Sequence, residues 1–179
     1  EGPGATQWLN RMCTSELDVP VGRIVYTVCL TPQGGVVFDI TVTRLDRDRY
    51  LVVTGGGSGP RDLAWLRAHL PEGASVRMRE VTSSWAVSGL WGPNAREVLQ
   101  PLVPQHLSNE AFPFRTAREI DIGFARALCV RITYLGELGY ELLVPTEQAV
   151  HVYDRVMAAG AEFGIRPAGL KALASLRME

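Results

Sequence analysis

Two pairs of β-rich stretches, each joined by a short glycine-containing turn, constrain the fold of this chain most. The first pair covers residues 23–30 and 36–44, on either side of the sequence TPQGG. The second pair covers residues 125–134 and 140–144, on either side of LGELG. Turns of this length connect neighbouring antiparallel strands. The sequence therefore predicts two β-hairpins.

The segments between the hairpins complete the prediction of fold class. Helical spacing of apolar residues occurs at residues 5–13, 60–70, 93–102 and 146–160, and further strand patterns occur at 50–54, 76–81 and 85–91. We expect Thr146 to cap its helix. The inner face of that helix is predicted to carry Val150, Tyr153, Val156 and Met157. Because strands and helices do not alternate singly, the pattern predicts an α+β fold with mainly antiparallel sheets and flanking helices.

Charge and composition exclude several function classes. The 179 residues include 18 basic and 19 acidic side chains, a formal net charge of −1. This balance gives no field that attracts nucleic acid or an anionic membrane, so neither is an expected partner. Cys13, Cys29 and Cys129 are far apart and indicate buried thiols rather than a metal site. Helical patterns at both ends lead us to expect a fragment that lacks an upstream segment and a C-terminal domain.

Asp39 is the first candidate functional residue. It lies within a strand of valine, phenylalanine, isoleucine and threonine, where aspartate is depleted. A carboxylate at such a position is solvated, paired or functional. Two interpretations remain open, a solvent-exposed strand face shared with Thr41 and Thr43, or a charge directed into a pocket.

A second candidate site is the segment 134–141, with the sequence YLGELGYE. Its glycines allow a tight loop, and Glu137 is predicted to be a solvated turn residue. Glu141 lies inside the following strand, where it either pairs with an arginine or serves a ligand. The glycine-rich stretch 55–59 lacks the pattern of a phosphate-binding loop. The four tryptophans, including Trp91, are predicted to belong to the core.

Six stretches of the chain carry a resemblance to a known family. They are VGRIVYT (21–27), GGVVFDITVTRL (34–45), LWGPNAR (90–96), YLGELGYELLVP (134–145), HVY (151–153) and AGLKALASLRME (168–179). Together they resemble the glycine-cleavage T-protein (aminomethyltransferase) superfamily. Within it, the chain looks most like the folate domain of dimethylglycine and sarcosine dehydrogenases and oxidases.

The resemblance implies an enzyme domain, spanning residues 1–179, that binds tetrahydrofolate. It implies capture of a methylene unit from an oxidised N-methyl amine to give 5,10-methylenetetrahydrofolate. FAD is expected only on an oxidoreductase domain outside this chain, in the same or a partner chain. The implied location is the cytoplasm, or the mitochondrial matrix in a eukaryote.

The resemblance also implies roles for individual residues. Asp39 matches the catalytic aspartate of the family and Glu141 its pterin-binding glutamate. Tyr26 and Tyr134 match tyrosines of the folate pocket. The remaining folate-binding positions that we expect are Thr41 and Gly55.

Two departures separate the chain from the T-protein proper. That branch commonly has arginine where this sequence has Leu173, and two consecutive aspartates where it has Phe38 and Asp39. Both differences favour the amine-oxidising branch. The alternatives are a glycine-cleavage aminomethyltransferase and a non-catalytic regulatory or interaction module on the same fold.

Overall fold

The computed structural model describes residues 1–178, which form two compact units, Glu1–Glu80 and a second unit that begins at Val81. The elements of the first unit are α1 (Ala5–Met12), β1 (Ile24–Leu30), β2 (Val36–Asp46), β3 (Arg49–Thr54) and α2 (Gly59–Ala68). Those of the second are β4 (Trp85–Trp91), α3 (Ala95–Leu99), β5 (Ala117–Ile122), β6 (Ala125–Val130), β7 (Gly139–Pro145), α4 (Ala149–Gly160) and α5 (Leu170–Leu176).

The first unit contains an antiparallel sheet in the order β1-β2-β3. Side chains alternate between the two faces of a strand. On β2, Phe38, Ile40 and Val42 are buried, whereas Asp39 is exposed. The buried face packs with Trp8, Leu9, Leu17, Cys29 and Leu66 to form the core of this unit. The predicted hairpin of residues 23–44 is confirmed.

The second unit contains a four-stranded antiparallel sheet in the order β4-β7-β6-β5. The predicted pairing of the strands around the loop 135–139 is confirmed as β6 and β7. Tyr140 and Leu142 of β7 are fully buried and join residues of α3, β5 and β6 in the core. The same core includes Cys129, and Cys29 is buried in the first unit, as predicted, whereas Cys13 is half-buried.

One predicted strand is absent and one observed strand was not predicted. Residues 76–81 do not form a strand, because their backbone has no extended partner and makes isolated bonds such as Arg77 N–H to the Glu1 carbonyl at 2.7 Å. Val76 and Met78 nevertheless pack on the core, which explains the alternating pattern. The unexpected strand is β5, whose charged residues are typical of a sheet edge.

The predicted cap of α4 is also wrong, and its predicted inner face is correct at Val156 but wrong at Val150 and Tyr153. Thr146 does not cap the helix, because its hydroxyl donates to the Ser83 carbonyl at 2.9 Å. Val150 is 73% exposed and Tyr153 is 49% exposed. The helix instead presents Val152 to the core, with Val156 and Ala159 packed beside it. Both stripes have helical spacing, so periodicity alone does not distinguish them.

Across residues 1–178, no helix is long and apolar enough to cross a bilayer. The same residues contain no group of three or more His, Cys, Asp or Glu side chains placed to hold a metal ion.

Candidate functional site

Asp39 and Tyr26 meet on the exposed face of the first unit's sheet. The Tyr26 hydroxyl donates to Asp39 Oδ2 at 2.7 Å. Their contact is diagonal, because the strand partner of Tyr26 is Thr41 and that of Asp39 is Val28. Aromatic side chains reach such diagonal neighbours. The structure therefore brings the three predicted residues Tyr26, Asp39 and Thr41 together on one face.

Gly55 lies directly after β3, at the start of a loop that is fastened to α2. Its carbonyl accepts a hydrogen bond from the Ser58 hydroxyl at 3.1 Å. Ser58 also lies 2.6 Å from Asp62, a fully buried carboxylate that pairs with Arg61 at 2.8 Å. Burial opposes the charge of Asp62, but bonds from Ser58, Arg61 and Thr54 outweigh it and lower its pKa. Gly55 thus belongs to a loop that hydrogen bonds hold in place. It directly follows Thr54, whose strand partner is Ile40, the residue next to Asp39.

Glu141 lines a cavity of about 440 Å³ in the second unit. Its neighbours around the cavity are mostly apolar, namely Trp91, Tyr134, Leu170, Leu173 and Ala174. Burial raises the pKa of the Glu141 carboxyl above its ordinary value of 4.5. The alternative of an ion pair with arginine is not observed, because within residues 1–178 no cation lies within 4.0 Å of this carboxylate. The cavity therefore holds a half-buried acid that has no charged partner among residues 1–178.

Trp91 forms one wall of this cavity and fits there because two glycines leave space for its ring. Its strand partner is Gly139, and Gly89 precedes it by two residues on the same face. A Cβ at Gly139 would lie 2.1 Å from Trp91 Cδ1, and one at Gly89 would lie 2.2 Å from Cη2. Glu141, the partner of Gly89, lies on this face as well. Trp91 Nε1 is buried without a hydrogen-bond partner in the described part of the chain.

Tyr134 is held at the same cavity by Arg177. Nη1 of Arg177 donates to the Tyr134 hydroxyl at 2.8 Å, and the guanidinium carbon lies 4.4 Å from the ring centre. Such a cation over an aromatic face is favourable. Leu173 contributes an apolar wall. The ring of Tyr134 remains 49% exposed and accessible to a ligand.

The structure thus groups the predicted residues in two places. Tyr26, Asp39 and Thr41 share a sheet face in the first unit, and Tyr134 and Glu141 share a cavity in the second. Trp91 was predicted to belong to the core but borders this cavity. No sequence signal alone identifies it, because the strand register is needed to show that Gly89 and Gly139 lie beside its ring.

Comparison with known proteins places the chain in a family. The profile of the GCVT N-terminal domain matches residues 1–179. The chain belongs to the GCVT N-terminal domain family. This GCVT chain is 37% identical over its full length to dimethylglycine dehydrogenase of Rattus norvegicus, of which it covers 21%. It is 35% identical over 99% of its length to the pyruvate dehydrogenase phosphatase regulatory subunit of Mus musculus, of which it covers 20%.

The fold agrees with this membership. The crystal structure of aminomethyltransferase T of the glycine cleavage system from Bartonella henselae superposes with a TM-score of 0.81 at 24% identity. The match covers 99% of the GCVT chain and 46% of that structure. The predicted α+β aminomethyltransferase fold is confirmed. The chain spans about a fifth of the length of the curated relatives that it matches first.

Proposed function

We propose that this chain binds tetrahydrofolate and transfers a one-carbon unit to it. The observation that carries the proposal is the half-buried carboxylate of Glu141, which has no ion-pair partner in the described part of the chain. The 2-amino group and the adjacent ring N–H of a pterin form a pair of donors that matches a carboxylate. A ligand of this kind supplies the partner that Glu141 lacks.

The remaining cavity walls suit the same ligand. Trp91 and Tyr134 offer aromatic surfaces beside Glu141, and Leu173 offers an aliphatic one. Flat heteroaromatic rings pack well between such side chains. The buried Nε1 of Trp91 is a further donor without a partner within residues 1–178. Tetrahydrofolate, when bound, supplies two nitrogen atoms that take up carbon at the oxidation level of formaldehyde.

Asp39 is proposed as the catalytic carboxylate. It is exposed on its sheet face and oriented by the Tyr26 hydroxyl at 2.7 Å. A fixed carboxylate stabilises positive charge that develops on an attacking nitrogen, and it can accept the proton that this nitrogen releases. Thr41 and Gly55 are proposed to contribute to the folate site from β2 and from the end of β3.

We propose an oxidised N-methyl amine of the dimethylglycine or sarcosine type as the carbon donor. Similarity to a dimethylglycine dehydrogenase supports this choice over glycine cleavage. Because the chain covers about a fifth of such relatives, the proposal places amine oxidation on a flavin domain outside these residues. The proposed location is the cytoplasm, or the mitochondrial matrix in a eukaryote.

Calorimetric titration with tetrahydrofolate tests the binding step. We expect saturable binding that Glu141→Gln weakens roughly 10- to 100-fold, as loss of a charged hydrogen-bonding partner predicts. Glu147→Gln is the matched control, since Glu147 is an exposed glutamate of the same unit outside the cavity. Absence of heat with folded protein, or equal effects of both substitutions, contradicts the assignment.

A turnover experiment on the complete flavin-containing protein tests Asp39. Asp39→Asn is expected to preserve flavin reduction and folate binding but to release free formaldehyde instead of methylenetetrahydrofolate. Tyr26→Phe, which removes the hydroxyl bonded to Asp39, is expected to show a weaker form of the same defect. An unchanged yield of methylenetetrahydrofolate in Asp39→Asn removes this residue from the mechanism.

The competing proposal is a non-catalytic regulatory module. Similarity to the pyruvate dehydrogenase phosphatase regulatory subunit supports it. The two proposals differ at Asp39, because a regulatory module has no formaldehyde-releasing phenotype. The turnover experiment therefore separates them.

A further inference from the structure

A second cavity of the second unit contains two arginines and is separate from the Glu141 cavity. Its volume is about 450 Å³, and its walls include Arg96, Asn109, Arg131 and the loop residues 136–139. The two cavities have no lining residue in common, although Gly139 of this one is the strand partner of Trp91 in the other. A cavity of this size accommodates a small organic molecule.

Arg131 is a buried cation whose guanidinium is incompletely satisfied. Its exposure is 7%, and it follows directly after β6. Nη1 donates to the Phe112 carbonyl and Nη2 donates to Asn109 Oδ1 at 2.6 Å. Nε is buried without a hydrogen-bond partner in the described part of the chain. Burial is the main cause that lowers the pKa of Arg131, and the nearby charge of Arg96 acts in the same direction.

Arg96 binds the same acceptor from the other side. Its Nη2 donates to Asn109 Oδ1 at 2.6 Å, and its Nε donates to the Tyr140 hydroxyl at 3.3 Å. Two guanidinium groups therefore share one neutral amide oxygen. Within residues 1–178, no carboxylate lies within 4.0 Å of either group. Buried cations are normally paired, so this pair lacks an anion.

Two nearby acids affect the charge balance without supplying that anion. Glu137 lines the cavity but is exposed on its loop. Glu110 is exposed, and hydrogen bonds from its own backbone N–H and from Ser108, with the charge of Arg96, lower its pKa. Both charges lie beyond ion-pair distance of the two guanidinium groups, so solvent screens their effect on the cavity.

We propose that this cavity binds a small organic carboxylate. Guanidinium groups match the two oxygens of a carboxylate in a planar fork. Phe114 and Leu138 add apolar walls that suit the carbon portion of such a molecule better than a bare inorganic ion. The site goes beyond the proposed folate function and does not depend on it.

The test uses the 179-residue chain in an anion-poor zwitterionic buffer, with glutarate as the probe and inorganic phosphate in a parallel titration. Binding is followed by calorimetry and by the ¹⁵N–¹H signal of Arg131 Nε. We expect saturable glutarate binding that shifts this signal and that is at least roughly tenfold weaker in Arg96→Gln. Arg166→Gln, which removes an exposed charge of the same unit outside the cavity, is expected to bind normally.

Two further variants keep the outcome interpretable. Arg131→Lys retains the buried charge but lacks the planar guanidinium, and it is expected to weaken glutarate binding. This variant takes the place of Arg131→Gln if Arg131→Gln fails to fold. Glu141→Gln is expected to retain glutarate affinity, so failure of the folate proposal does not affect this test. Binding of phosphate alone overturns the choice of an organic carboxylate. Absence of binding by both probes, or equal weakening in Arg96→Gln and Arg166→Gln, overturns the site.

Discussion

Substitution of Gly139 by alanine tests whether close packing of Trp91 builds the Glu141 cavity. In the present backbone, the added Cβ would lie 2.1 Å from Trp91 Cδ1 and 2.9 Å from Nε1. Optimal carbon contacts are about 3.5–4.0 Å, so the first overlap is too large for a small adjustment. The six-membered ring already occupies the space beside Gly89, where an added Cβ would lie 2.2 Å from Cη2, so little room remains for the ring to shift in that direction. The indole must therefore leave its position.

The expected cost follows from overpacking at a buried strand position. Forced side-chain and backbone shifts cost about 1–3 kcal/mol, and the Ile132 carbonyl, 3.1 Å from the new Cβ, places this case at the upper end. Without Trp91, alanine is favoured over glycine in a strand by roughly 0.5–1 kcal/mol. We therefore expect Gly139→Ala to lower the free energy of unfolding by about 3 kcal/mol in wild type but to have little effect in Trp91→Ala.

Urea unfolding followed by circular dichroism measures this double-mutant cycle. Gly57→Ala is the matched control, because no atom lies within 4 Å of its added Cβ, and we expect a change within about 0.5 kcal/mol. The reasoning is refuted if Gly139→Ala is as stable as wild type. Additive costs of Gly139→Ala and Trp91→Ala contradict it equally, since they show that the ring is not the obstacle.

Two further predictions concern the pH dependence of stability. Because folding raises the pKa of Glu141, the contribution of this carboxyl to folding stability is fully present below its ordinary pKa of 4.5 and declines as pH rises through the folded pKa. In urea unfolding above pH 4.5, Glu141→Gln should remove this decline. Folding lowers the pKa of Asp62, so the pH dependence is reversed. The contribution of Asp62 to folding stability is present above its ordinary pKa of 3.8 and declines as pH falls through the folded pKa. We expect Asp62→Asn to cost about 2 kcal/mol at neutral pH, with the difference shrinking in acid, whereas a constant difference contradicts the role of its charge.

The parts of the fold that followed from sequence are those governed by local patterns. Alternation along β2 and the tight turn before it were sufficient to predict the first hairpin and to place Asp39 on the face opposite Phe38 and Ile40, but they left open whether that face is exposed. Residues 76–81 show the limit of this reasoning. Their alternation reflects burial of Val76 and Met78 against a core, and burial alone does not supply a hydrogen-bonding partner strand.

The edge strand β5 illustrates the opposite error. It contains Arg118, Glu119 and Asp121, which are unfavourable in the middle of a sheet. Among residues 1–178 only β6 pairs with it, and Arg126 of β6 lies 3.1 Å from Asp121. Charged residues protect such an edge from further pairing. Propensity therefore argues against a strand here, although the position of the strand in the sheet explains its composition.

Some residues of the candidate site can be predicted from local sequence, and others only from the tertiary structure. Glu141 could be found from sequence because an acid inside an apolar strand is conspicuous by itself. Trp91 could not, because a tryptophan in a strand is ordinary until the register shows which residues it faces. The pairing of β4 with β7 places Gly139 opposite Trp91 and Glu141 opposite Gly89, so the indole and the carboxylate occupy one face. A side chain at either glycine would fill the space that the indole now occupies. The lack of a side chain at these two glycines therefore leaves the space that the indole of Trp91 needs beside Glu141.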